Sequence, residues 1–191
     1  MNIIYLLFHG LSPYSGISKK ILHQVKGFEA CGHRVSLCTY SIADNGHRVR
    51  MINNEIIEDY GTGKPAAAKR RVSYQCIYRY AVTHQVELIY VRSFHNANPF
   101  TIRLFSKLRK AGIKIAMEIP TYPYDSEYAG FPLVTRLGIQ VDKVFRKTLA
   151  KHVNAIVTFS DYHCIFGQRT IQISNGVDFD SIPLKKTVAK N

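Results

Sequence analysis

Apolar runs alternate with helical patterns along most of the chain. Residues 2–8 (NIIYLLF) are almost continuously apolar, as expected of a strand buried on both faces. A loop with Pro and Gly follows over 9–16. Residues 17–30 then predict a helix with Ile17, Ile21, Val25 and Phe28 on one face and Gly32 placed to end it. Residues 35–40 predict the second strand. Two short extended runs, 47–52 and 55–60, meet at Asn53-Asn54, where Asn tolerates positive φ and favours a hairpin. After a break at 61–65, residues 66–84 predict one helix with Val72, Cys76 and Tyr80 along a stripe.

The alternation resumes with a strand at 88–91. A helix at 99–111 turns Ile102, Phe105 and Leu108 inward, and a strand follows at 113–119. A Tyr- and Pro-rich loop covers 121–131. Residues 133–151 form a long amphipathic helix with Leu137, Val141, Val144, Phe145 and Thr148 on its apolar side. The chain closes with a strand at 155–159, a helical turn at 161–166 and a short strand at 171–173. Strands alternating with helices imply an α/β fold, a Rossmann-like, doubly wound and mainly parallel sheet of about six or seven strands. Domain organisation follows: a single Rossmann-like unit over 1–183, and a tail or linker over 184–191.

In such sheets ligands bind beyond the carboxyl ends of the strands. That rule singles out His9, then Arg92, Ser93 and His95, then Glu118, then Ser160 and Asp161, then Asn175 and Gly176. Ser15 and Gly16 open the first helix, where bare backbone N–H groups and the helix dipole favour an anion, although Ser15 or Ser18 could equally serve as a plain cap. The loop lacks both the dinucleotide glycine pattern and a Walker lysine. The segment MEIPTYPYDSEYAGFP carries four tyrosines suited to stacking on sugar rings, which makes Thr121, Tyr122, Tyr124 and Asp125 candidates beside Glu118.

Composition adds one unusual term. Hydrophobic residues at 46% and charged residues at 20% are ordinary, but the net charge of +13 favours anionic partners. The basic residues are spread over helices rather than massed in one block. No stretch is long and apolar enough to span a membrane, and the N-terminal run lacks the basic flank of a signal peptide, so a cytoplasmic protein is expected. Cys31, Cys38, Cys76 and Cys164 show no paired spacing and are expected as reduced core or near-core thiols; no histidine spacing suggests a metal.

The motifs also resemble a known family. SPYSGISKKILHQVKGFEACGHRVSLCT, VELIYVRS, NAIVTFS and ISNGVDFDSI are similar, in order and spacing, to the N-terminal domain of GT-B glycosyltransferases of family 4, the retaining sugar-nucleotide group. EIPTYPYD resembles members that build bacterial surface polysaccharides. The resemblance implies an acceptor-side domain of a hexosyltransferase, with Ser15, Gly16 and Ile17 near the donor phosphate. Glu118, Tyr122, Tyr124 and Asp125 would place the acceptor hydroxyls, with Arg92, His95, Thr121, Ser160, Asn175 and Gly176 as further substrate-binding candidates. It implies no metal and no cofactor, a nucleotide sugar as co-substrate, and a saccharide or lipid-linked acceptor at the inner face of an anionic membrane.

Two departures accompany it. The family's loop histidine is replaced by IPTYPYD. The basic pair and paired glutamates of the C-terminal donor domain have no counterpart, so that domain is expected to be absent and the 191 residues alone inactive. Two other classes remain open: a polyanion- or nucleic-acid-binding module without chemistry, and half of another GT-B enzyme such as a sugar-nucleotide epimerase.

Overall fold

The computed structural model describes residues 1–12, 14–93, 95–123 and 133–174. Their elements are β1 (Asn2–Leu6), α1 (Gly16–Ala30), β2 (Arg34–Ile42), β3 (Arg48–Ile52), β4 (Glu55–Asp59), α2 (Gly63–Val72) and α3 (Gln75–Thr83). There follow β5 (Leu88–Arg92), α4 (Pro99–Lys110), β6 (Lys114–Ile119), α5 (Leu133–Ala150), β7 (Ala155–Thr158), β8 (Cys164–Ile165) and β9 (Gln168–Gln172). The fold is α/β, with one mixed, mainly parallel nine-stranded sheet in the order β4-β3-β2-β1-β5-β6-β7-β9-β8.

The parallel part runs β2-β1-β5-β6-β7-β9, consistent with the Rossmann-like expectation. The extra strands are antiparallel additions at the two edges, β3 and β4 on one side and β8 on the other. β1 is central, and its Ile3, Ile4, Tyr5 and Leu6 are all buried, which accounts for its unbroken apolar run. One face packs α2 to α5 over Ile4, Leu6, Ile89, Val91, Ile115, Met117 and Ile156. The other face carries Ile3, Tyr5, Leu7 and Tyr90 beneath Ile21 of α1.

Local chemistry sets several boundaries. Ser15 caps α1, its hydroxyl accepting from Ser18 N at 3.4 Å, and Gly32 at φ +80° follows the helix end, where its N–H reaches Glu29 O at 2.9 Å. Asn53 and Asn54 sit at φ 48° and 72° in the β3–β4 turn, as their identities predict. Asn98 and Thr101 form a capping box ahead of α4, with Pro99 in its first turn.

Four expectations change. The single helix over 66–84 is two, parted at Ser73-Tyr74, where the backbone turns and Tyr74 goes into the core. The turn at 161–166 is instead the start of the β8–β9 hairpin, with Phe166 and Gly167 both at positive φ. On α5, Leu137, Val141 and Val144 are exposed, and the buried side consists of Ile139, Asp142, Leu149 and Ala150. Of the cysteines, Cys38 and Cys76 are core thiols but Cys31 and Cys164 are exposed. Burial pushes the Cys38 thiol up to about 12, so it stays protonated.

Candidate functional site

The strand order reverses between β1 and β5: from β1 the sheet grows one way to β2, and from β5 the other way to β6 and β7. At the carboxyl ends of these strands lies an open crevice of about 470 Å³. That is where an open α/β sheet parts its loops to admit a ligand, and the size suits a small molecule. His9 and Gly10 come from the loop after β1, and Ser12, Ser15, Ile17, Ser18 and Lys20 from the approach to α1 and its first turns. Arg92, Ser93 and His95 come from the end of β5, and Ile119, Pro120 and Thr121 from the end of β6.

No Asp or Glu is among these lining residues, while Lys20 and Arg92 are cations. The first turn of α1 holds no acidic residue either, so the positive end of its dipole faces the crevice uncompensated. Five hydroxyls, from Ser12, Ser15, Ser18, Ser93 and Thr121, complete the lining. Ser18 is in part occupied, since its Oγ accepts from Ser12 N at 2.9 Å and so ties the loop to the helix. The arrangement presents donors and positive charge to an anion, and hydroxyls to a polyol.

Two glycines at this edge differ. A Cβ on Gly10 would stand 2.9 Å from the Tyr40 carbonyl oxygen, so only glycine lets the loop lie against β2. A Cβ on Gly16 would meet nothing within 4 Å. The fold therefore makes no steric demand for glycine at position 16, and its bare backbone stays open toward solvent.

Glu118 lies behind the crevice rather than on its wall, at 0% exposure. Its Oε1 accepts from Arg92 Nη1. Its Oε2 accepts from the Tyr90 hydroxyl at 2.7 Å and from Gln24 Nε2 at 2.8 Å. Gln24 Oε1 in turn accepts from the Tyr5 hydroxyl at 2.5 Å. This network joins α1 to β1, β5 and β6, and holds the Arg92 guanidinium at the crevice wall. Burial, with the Glu118 charge beside it, raises both Tyr5 and Tyr90 well above the ordinary phenol range, so both remain hydrogen-bond donors.

Behind His95, Asp142 of α5 is buried, accepts from Ala97 N at 2.9 Å, and places its second oxygen 4.0 Å from His95 Nδ1. His95 itself adopts φ 44°, a left-handed conformation that aims the loop across the end of β5.

The structure thus gathers Ser15, Ile17, Arg92, His95 and Thr121 at one crevice, with Gly16 opening the helix beside them. It places others elsewhere. Tyr122 packs edge-on against Tyr162 at 5.0 Å and Phe166 at 5.6 Å, in an aromatic cluster by β8. Ser160 shares a 2.8 Å hydrogen bond with Thr158 and accepts from Gln172 with its carbonyl, stitching β7 to β9. Tyr124, Asp125, Asn175 and Gly176 lie outside the described residues.

Comparison with protein-family models, with curated proteins and with solved structures gives no match. The crevice must therefore be read from its own chemistry. Among the described residues no three His, Cys, Asp or Glu side chains gather as a metal site. Sequence reasoning missed Lys20, Gln24 and Asp142. Of these, Gln24 carried a signal, because it is a polar residue on the side of its helix that faces the sheet. Gln24 falls between Ile21 and Phe28 of the apolar stripe on α1, and a polar group there must find a buried partner.

Proposed function

We propose that the chain is the acceptor-side domain of a sugar transferase, working with a nucleotide-sugar donor and a saccharide or lipid-linked acceptor. The observation that carries this reading is the crevice at the strand-order switch, whose described lining holds no acidic residue and which the open N-terminus of α1 roofs. Transfer from a nucleotide sugar leaves negative charge on a departing phosphate. Backbone N–H groups at Gly16 and Ile17, the dipole of α1 and the cations Lys20 and Arg92 suit that charge. The hydroxyl-rich lining and Thr121 suit an acceptor whose own groups are hydroxyls. Glu118 is a positioning residue here, since its carboxylate is spent on holding Arg92.

The exposed side of α5 supports a membrane partner in this reading. Leu133, Leu137 and Val144 are 73%, 66% and 71% exposed, with Val141 beside them. At 3.6 residues per turn they form one stripe, bordered by Arg136, Lys143 and Lys147. An apolar ridge with a basic margin fits an anionic lipid surface. Among the described residues no helix is long and apolar enough to cross a membrane.

Isotope-edited NMR on the 191-residue chain tests the reading. Titration with a uridine diphosphate hexose and with a hexose disaccharide is expected to shift the amides of Gly16, Ile17, Ser18, Ser93 and Thr121. Silence from both ligands at millimolar concentration, with a short single-stranded oligonucleotide shifting the same amides, would replace the transferase reading by the polyanion-binding one.

A further inference from the structure

The layer between β3 and α2 holds cations where a core normally holds apolar groups. Tyr40, Arg48 and Arg50 come from paired positions of β2 and β3, and Arg70 comes from α2, which packs over β3. The Arg70 guanidinium carbon lies over the Tyr40 ring, 4.2 Å from its centre, while Arg48 Nη1 donates to the Tyr40 hydroxyl at 2.6 Å. One tyrosine therefore brings two guanidiniums together, and Arg71 follows on the helix.

Arg50 lies beneath them at 1% exposure. Its Nη1 donates to Leu7 O at 2.7 Å, and its guanidinium sits over the Phe8 ring. The Nε atoms of both Arg50 and Arg70 are buried without a hydrogen-bond partner. Among the described residues none of the four arginines has an ion-pair partner. On the neighbouring strand, Asp59 pairs with His47 at 2.7 Å, and Glu58, the cross-strand partner of Arg50, lies 3.7 Å from Arg79. Burial first, then the charges of Arg71, Arg48 and Arg50, pull Arg70 below the ordinary guanidinium value, whereas Cys38, Tyr60 and Cys76 hold Arg50 above that value.

Buried guanidinium groups are normally satisfied by carboxylate or phosphate, whose oxygens match their fork of donors. Aromatic faces stabilise the cations here but leave most N–H groups unused. We propose that the β3–α2 layer is a second anion site, separate from the crevice, in which Arg48 and Arg70, with Arg71 next on the helix and the buried Arg50 beside them, bind a phosphate-class group. A terminal phosphomonoester or a diphosphate fits best: it is compact, carries more than one negative charge and offers several acceptor oxygens. The group could belong to a soluble phosphate compound or to a lipid headgroup.

Thermal unfolding at matched ionic strength tests the site, with inorganic pyrophosphate against chloride as the probe. Pyrophosphate at a few millimolar is expected to raise the wild-type midpoint by several degrees more than chloride does. Arg70→Gln should remove the larger part of that extra rise, leaving only the crevice's share. In low-salt buffer without phosphate, the same variant should melt at or above wild type, because it relieves repulsion, which also shows that it folds. Lys20→Gln, in the crevice, should keep the larger part of the rise and lose only the crevice's share. Loss of the rise in Lys20→Gln with its retention in Arg70→Gln would move the anion to the crevice and overturn the proposal, as would equal midpoints in pyrophosphate and chloride. Flotation with phosphatidic acid vesicles, against phosphatidylcholine, separates the two sources. A clear drop in retention for Arg70→Gln, whose α5 face is intact, assigns the site to a lipid phosphomonoester. A pyrophosphate response with equal flotation of wild type and variant assigns it to a soluble phosphate.

Discussion

Two glycines six residues apart make opposite predictions. Gly10→Ala drives a methyl into the Tyr40 carbonyl, so it should lower stability by about 1–3 kcal/mol, the usual cost of overpacking. Gly16→Ala meets open space at a helix start and should leave stability unchanged or raise it by up to about 1 kcal/mol. Chemical denaturation of both variants checks the pair; equal losses would mean that the loop after β1 is not packed as described. If Gly16→Ala keeps its stability yet loses the amide shifts with nucleotide sugar, the open backbone serves the ligand. Glu118→Gln belongs at the same scale. It leaves the Arg92 guanidinium buried without its counter-charge, which should cost about 3–5 kcal/mol. Tyr90→Phe removes one donor of several and should cost about 1 kcal/mol. A Glu118→Gln variant as stable as wild type would show that the carboxylate does not hold the network together.

At the scale of elements, legibility followed locality. The strands β1, β5 and β6, the Asn53-Asn54 turn, the Gly32 stop and the Asn98 cap were readable because each depends on residues adjacent in the chain. The network behind the crevice was not, because Gln24 and Glu118 are 94 residues apart and no local pattern pairs them. α5 shows a different failure. Its sequence carries two apolar arcs, one through Ile139 and Leu149 and one through Leu133, Leu137, Val141 and Val144. A period of 3.6 identifies both but cannot say which faces the sheet. The buried choice includes Asp142, which looked polar enough to be outside until its bond to the Ala97 amide supplied a reason. If the outer arc meets lipid, Leu137→Ser with Val144→Ser should leave the thermal midpoint within a degree or two. The same pair should weaken binding to anionic vesicles at least tenfold in a flotation assay. An unchanged vesicle affinity would remove α5 from the membrane reading, and a large loss of stability would mean that the arc is covered in the folded protein.

For the whole molecule, charge and buried phenols set opposing pH dependences. The net charge of +13 produces self-repulsion that screening or deprotonation relieves. Stability should therefore rise with added salt near neutral pH, and rise as pH climbs toward the isoelectric point near 9.7. Tyr5, Tyr60, Tyr74 and Tyr90 act in the other direction. Burial raises all four above the ordinary phenol value, so between that value, about 10, and their folded values the native chain binds more protons than the unfolded chain. Stability then falls as pH rises, because the slope follows protons bound in the unfolded state minus those bound in the native one. Their contribution is complete below pH of about 10 and is lost above it. The combined curve should climb gently from pH 7 to about 9.5 and drop steeply beyond 10. Urea unfolding at pH 7, 9 and 11 measures it. Tyr90→Phe should flatten the alkaline limb and lower the neutral one by about 1 kcal/mol without changing its slope. A curve that keeps rising through pH 11 would mean that these hydroxyls are not sequestered in the native sheet, and the donors that fix Glu118 and Arg92 at the crevice would go with them.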